Sequence, residues 1–337
     1  MLKKLLNQAT LELSIEAKGP LLIKSGIEGG ADPSVPDMQF VRSGGQVYIP
    51  GSSLKGVFRG YAEKIARTVN PIGGRDWCCD PFDDNPNSST CSCSRHAMVV
   101  EERVGRYEGR SLTSAEKYKR RDCTCRICQI FGSTALASRI KFNDAHPSDR
   151  HDPTTETRMG VAIDRVLGSV AHGPFDFEVV TTATFKCSLH LRNFELWQLG
   201  LLALVLRDLE EGLIPIGSGK SRGLGEVTAQ VTAFGVRYLG ALQQSDRAML
   251  PDGRSLGDVR NTLYGIGALA TDDERESYGL SGNDKVNIDA DGTLGEADLG
   301  MYISFAEAAR RQVFRQCVNR QWKEVIGRDH SGAQGTT

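Results

Sequence analysis

The stretch FDFEVVTTATFKCSLHLRNFELWQLGLLALVLRDLEEGLIPIGSGKSRGLGEVTAQVTAF, residues 175–234, decides the fold. Its opening, residues 175–192, is rich in β-branched and aromatic side chains and reads as strand. Residues 194–212 carry an amphipathic helical pattern closed by Gly212. The glycine loop GSGKSRGLG, residues 217–225, then delivers a last strand. The same order recurs upstream. LELSIEA, residues 11–17, alternates as an edge strand would, with a second extended segment at Leu21, Leu22 and Ile23. After the short strand QVYIPG, residues 46–51, the segment SSLKGVFRGYAEKIARTV puts Leu54, Val57, Phe58, Tyr61 and Ile65 on one helix face, with Ser52 or Ser53 as N-cap. RIKFNDA, residues 139–145, returns to strand. Strand, helix, strand, twice, predicts an α+β, ferredoxin-like plan with helices on one face of an antiparallel sheet.

Between the two units lies an irregular insertion, residues 71–130, with a polar stretch following at 146–159. The expected organisation is a unit over residues 1–234 that contains this insertion, then an acidic extension over 235–330 ending in a basic helix, then a disordered tail, 331–337. Residues 246–298 hold 12 acidic and 5 basic side chains, whereas 101–141 hold 10 basic and 5 acidic.

The whole chain, 337 residues with Lys plus Arg of 41 against Asp plus Glu of 42, is nearly neutral, so an anion-binding surface must be local. The longest nearly apolar run, 196–206, is about half the ~20 residues that a membrane helix needs. The N-terminus, MLKKLLNQATLELS, lacks the pattern of a signal peptide, and the expected location is cytoplasmic.

Seven of the 9 cysteines fall between Cys78 and Cys128, and clustered thiols in a reducing compartment point to metal. Cys123, Cys125 and Cys128 lie within six residues, with His96 a plausible fourth ligand; Cys78, Cys79, Cys91 and Cys93 complete eight candidates, enough for two structural Zn2+ sites. Adjacent Cys78 and Cys79 are awkward as ligands of one ion. The glycine loop fails as a Walker motif, because Ile214 stands where its first glycine belongs. What remains is backbone able to approach a phosphate, flanked by Lys220 and Arg222, or else a plain flexible turn. NIDADGTLGEAD, residues 287–298, reads first as an acidic surface turn, with Ca2+ binding as the alternative. Asp32, in the glycine- and proline-rich loop 25–37, is by itself unremarkable.

The succession GGADPSVPD, YIPGSSLKGVFRGYAEKIAR, CTCRICQIFGS, SRIKFNDA, RMGVAIDR and GSGKSRGLGEV resembles the backbone subunits of type III CRISPR effector complexes, members of the RAMP superfamily. The resemblance spans roughly residues 11–234 and implies a ferredoxin-like RNA-binding palm with a zinc-bearing insertion and a thumb hairpin at about 146–180. It implies copies stacked along a guide RNA within a complex of other effector subunits. Complementary target RNA would be cut at regular intervals by a loop aspartate, matched by Asp32, with a divalent ion such as Mg2+ able to assist. The cations inside the matched motifs, Lys55, Arg59, Arg126, Arg139, Arg158, Arg165, Lys220 and Arg222, would contact RNA together with Ser52 and Ser53, and Met159 would insert from the thumb. A silent scaffold subunit is the alternative.

Overall fold

Alternation in β1 (Asn7–Ala17) turns Ala9, Leu11, Leu13 and Ile15 to the core and leaves Glu12 and Glu16 outside. The computed structural model describes residues 3–28, 36–69, 77–120, 123–148, 153–244, 247–289, 292–295, 300–323 and 326. Asp32 and the tail 331–337 lie outside these described residues. After β1 come β2 (Lys24–Glu28), β3 (Met38–Phe40) and helix α1 (Gly51–Val69). The insertion holds α2 (Cys93–Glu108), α3 (Ser114–Lys119) and α4 (Arg126–Phe131). Then follow β4 (Ile140–Phe142), a long hairpin of β5 (Thr154–Ile163) and β6 (Val170–Thr182), β7 (Thr184–Arg192), α5 (Leu196–Glu210) and β8 (Val227–Tyr238). Last are β9 (Thr293–Gly295), β10 (Met301–Ser304) and α6 (Glu307–Gln316).

The main sheet has the order β9-β10-β8-β1-β7-β4. Four successive members, β8-β1-β7-β4, all antiparallel, are the fourth, first, third and second strands of a βαββαβ unit, which is the ferredoxin-like plan. β1 is therefore central, not the edge strand its alternation suggested. One-sided burial suits any position in a sheet whose second face is wet.

Helix α1 buries Leu54, Phe58, Ala62 and Ala66, with Val57, Tyr61 and Ile65 at the margins, because the small alanines let it settle close to the sheet. It begins at Gly51, not at either serine: the Gly51 N–H donates to Asp144 Oδ1 at 2.7 Å. A Cβ at Gly51 would stand 2.5 Å from the Phe142 carbonyl oxygen, so only glycine lets the helix start so near β4.

Helix α5 is buried nearly all round rather than on one stripe. The turn at Cys317–Trp322 lies over its far side, where Trp322 stacks on Trp197 with ring centroids 6.2 Å apart and meets Trp77 at 5.1 Å. A Cβ at Gly200 would sit 2.8 Å from the Cys317 carbonyl oxygen. The acidic extension is thus part of the same core, which runs unbroken from Leu11 and Leu199 to Ile303, Val313 and Trp322. The boundary expected at residue 234 falls inside β8, whose outer edge is paired by β10.

The segment 287–298, read first as an acidic turn with Ca2+ binding as the alternative, is not set in a helix–loop–helix. Asn287 ends a strand, Lys285–Asn287, paired with Thr262–Tyr264, and Thr293–Gly295 is strand β9. Asp289 is engaged by Gln312 at 2.8 Å. Among the described residues, no helix is long and apolar enough to cross a membrane.

Candidate metal centre and nucleic-acid interface

Cys79, Cys93, Cys125 and Cys128 are all buried, and their sulfur atoms all lie within 4.8 Å of one another. Three elements bring them together. Cys93 opens α2, capped by Ser92, which accepts from the Arg95 N–H at 3.2 Å. Cys125 is the N-cap of α4, and its sulfur accepts from the Cys128 N–H at 3.3 Å. Cys79 comes from the loop before α2. The Cys125 N–H in turn donates to Cys93 Sγ at 3.1 Å. Four thiolates around tetrahedral zinc, with Zn–S of about 2.3 Å, stand about 3.8 Å apart. Cys79 Sγ and Cys128 Sγ are separated by 3.8 Å, far beyond a disulfide and matched to that spacing.

The centre has a cation beside it. Arg59 of α1 donates to Cys128 Sγ at 3.6 Å, to the Gly132 carbonyl at 3.3 Å and to Glu63 at 2.9 Å. Burial opposes its charge, yet the Cys128 sulfur, the Glu63 carboxylate and Cys79 together hold it above the ordinary arginine range. Hydrogen bonds from Cys125, then Cys128 and Cys93, hold Cys79 well below the usual thiol range. The donor set, the spacing and the compensating guanidinium fit a structural zinc centre.

The grouping differs from the one read along the chain. Cys123, expected beside Cys125 and Cys128, packs instead among Ala97, Val100, Val104 and Leu112. Of the adjacent pair only Cys79 joins; Cys78 donates to the Cys79 carbonyl at 3.4 Å, and burial pushes its thiol up to about 12. Cys91, whose thiol donates to the Ser92 carbonyl, and half-buried His96 stand outside the four-sulfur group. Cys93 at the start of α2 and Cys125 at the start of α4 meet through the Cys125 N–H on Cys93 Sγ, whereas Cys123 belongs to the separate apolar cluster of α2.

A second site lies where α1 meets the glycine loop. Ser53, Gly56 and Val57 face Gly217, Ser218 and Lys220 across an open cleft of ≈ 380 Å³, with Ile23 and Lys24 completing its wall. The loop is firmly built rather than a flexible turn. Ser218 N–H donates to the Leu22 carbonyl at 2.8 Å, Ile216 N–H to Gly225 at 2.9 Å and Gly225 N–H to Pro20 at 2.8 Å. Gly217 and Gly225 have φ of 86° and 87°, and a Cβ on either would lie 2.3 or 2.2 Å from a carbonyl oxygen. Burial, then Arg59, holds Lys55 below its ordinary range; burial, then Lys64, does the same for Lys220. The first turn of α1 has no acidic residue of its own, and beyond the Gly51 N–H, which Asp144 takes, its N–H groups and these lysines present positive charge. This arrangement can hold phosphate oxygens.

Other expected contacts lie elsewhere. Arg139 is 3% exposed, donates to the Asn193 carbonyl at 2.5 Å and to Gln198 at 3.3 Å, and lies over the Tyr118 ring. Buried Arg126 lies over Trp197, its carbon 5.1 Å from the ring centroid. These two, with Arg59, brace the fold. Arg158 and Arg165 are exposed on the long hairpin, the former paired with Glu156 at 2.5 Å. Met159 is 74% exposed on β5 and stands opposite Asp176 of β6. The Asp176 N–H donates to Asp37 Oδ2 at 3.0 Å, and Met38 pairs with Phe177, so Asp37 and Met38, a few residues after Asp32 in the sequence, are fastened to this hairpin next to Met159. Lys24 of the cleft was missed, since a single lysine after an apolar triplet gives no signal of its own. Asp144 was missed because its partner, Gly51, is remote in sequence.

The family model for RAMPs, the RAMP superfamily, matches residues 14–228. No curated protein matches the chain. The matched span holds the four cysteines, the cleft and the hairpin.

Proposed function

Because the chain belongs to the RAMP superfamily, whose members are CRISPR-associated RNA-binding proteins, we propose that it is a guide-RNA-binding backbone subunit of a type III or type III-derived effector complex that also cleaves target RNA. The observation that carries the reading is the cleft between α1 and the glycine loop, where Lys24, Lys220 and Ser53 meet. Such a site grips a polyanion backbone without reading bases. Copies of the chain would line the guide, beside the other effector subunits.

Zinc at the four cysteines would fasten the insertion and, through Arg59, steady the helix that lines the cleft. Cleavage is assigned to Asp32, which lies outside the described residues. A carboxylate there could draw the proton from a ribose 2′-hydroxyl as that oxygen attacks the adjacent phosphate in line, or hold a divalent ion such as Mg2+ against the phosphate. The fastening of Asp37 to the hairpin at Asp176 supports cutting beside a nucleotide that Met159 displaces.

The test is the assembled complex with a matched target. Wild type should give regularly spaced cuts, and Asp32→Ala should lose them while guide and target binding persist. Cuts unchanged in Asp32→Ala, or absent from wild type with divalent metal supplied, would make the subunit a scaffold and move the nuclease elsewhere.

A further inference from the structure

The extension that completes the core also builds a hollow of ≈ 390 Å³ between α5, α6 and the turn after α6, within the size range of small-molecule sites. Phe314 and Val318 give it an apolar floor, and Phe314 is held edge-on against Phe234 at 5.2 Å. Four arginines line it against one carboxylate, Glu210. Arg310 is turned inward, donating to the Val231 carbonyl and standing 3.9 Å from Glu210, so it belongs to the fold. The other three reach the rim. Arg207 and Arg311 are 59% and 70% exposed and are partly neutralised by Asp208 and Glu307. Arg315 is exposed and has no carboxylate partner among the described residues.

Between the cleft and the hollow runs a line of side chains on α1 and α5: the Lys64 ammonium lies 5.9 Å from the Tyr61 ring centroid, Tyr61 donates to Asp208 at 2.8 Å, and Asp208 accepts from Arg207, which lines the hollow. Asp208 is only 10% exposed, so it orients Arg207 without presenting a bare charge, though Glu211 stands near Tyr61. A cation at each end and an aromatic ring between them suit a nucleic-acid strand better than a protein segment.

We propose that this hollow is a second RNA contact: a strand leaving the cleft crosses Lys64 and Tyr61, sets its phosphates on Arg207, Arg311 and Arg315, and lays one nucleoside on Phe314 and Val318. The inference rests on the RNA-binding reading above. It is tested on the full chain with two single-stranded RNAs, one long enough only for the cleft and one able to reach the hollow. Arg315→Glu should weaken the long RNA by about tenfold at low salt and leave the short one unchanged, with Arg315→Lys close to wild type. Lys220→Ala should weaken both. RNA carrying 4-thiouridine near its far end should crosslink to the peptide that holds residues 314–319. If Arg315→Glu binds the long RNA as wild type does while Lys220→Ala weakens it, the hollow is not an RNA site, and an acidic protein segment becomes its better occupant. If wild type binds neither RNA, the RNA-binding reading itself falls and takes this one with it.

Discussion

Replacing Lys220 with alanine separates cations that face RNA from cations that only look as though they should. Lys24 and Lys220 line the cleft, and Lys55 and Arg222 flank it on α1 and the glycine loop, which makes four phosphate contacts the structural expectation. For a single strand each contact contributes about −0.7 to the slope of log affinity against log salt, so the wild-type slope should be about −2.8, a loss of about fiftyfold between roughly 50 and 200 mM salt. Lys220→Ala should bring the slope to about −2.1 and the loss to about eighteenfold. Arg139→Gln is the control. That guanidinium is 3% exposed and hydrogen-bonded within the fold, so its replacement should leave the slope at the wild-type value while costing about 2–4 kcal/mol of stability. Fluorescence anisotropy with an unstructured RNA at four salt concentrations, beside thermal unfolding of each variant, measures both quantities. A slope reduced equally by Arg139→Gln in folded protein, or unmoved by Lys220→Ala, would refute the placement of the interface in this cleft.

Cys93→Ser should remove one zinc ion per chain by elemental analysis, whereas Cys78→Ser, outside the four-sulfur group, should leave the content unchanged. Gly225→Ala adds a left-handed strain and a contact 2.2 Å from the Ile216 carbonyl oxygen and should cost about 2–4 kcal/mol, while Gly223→Ala, at φ of 75° but in open space, should cost only about 1–2; urea unfolding compares them. The bidentate Arg42 hydrogen bonds, at 2.6 Å each, hold Glu178 below the ordinary carboxylate range against its burial. Its folded value is the lower one, so its stabilisation is complete at neutral pH and disappears as pH falls through that value. Glu178→Gln should flatten the acid limb of the stability curve below roughly pH 4, at a cost of about 1–2 kcal/mol at pH 7. Identical acid limbs in the two proteins would count against the pair.

What could be read along the chain was whatever depends on neighbours in sequence. Period-two alternation in β1 and the helical spacing of α1 lie within single segments, and their order alone suggested the βαββαβ plan. Contacts between distant segments were not legible. The apolar girth of α5 looked like one stripe because nothing in its own sequence tells that Trp322 will cover the other side. Arg126 and Arg139 resemble surface cations until Trp197 and Tyr118 are brought over them from elsewhere. The cysteines advertised a metal by their density, but which four converge depends on where α2 begins relative to α4.

Strand β10 has one more effect. By pairing with residues 235–238 it occupies main-chain donors and acceptors that β8 would otherwise offer to any passing strand, and the sheet then ends on three-residue β9. Short terminal strands of this kind discourage sheet-to-sheet polymerisation. A neighbouring molecule that approaches that flank must therefore meet it through side-chain surfaces rather than by continuing the sheet. A truncation that ends before β10 would uncover the Gly235–Tyr238 edge of β8 and offer its main-chain groups to a strand of another molecule, a route to aggregation.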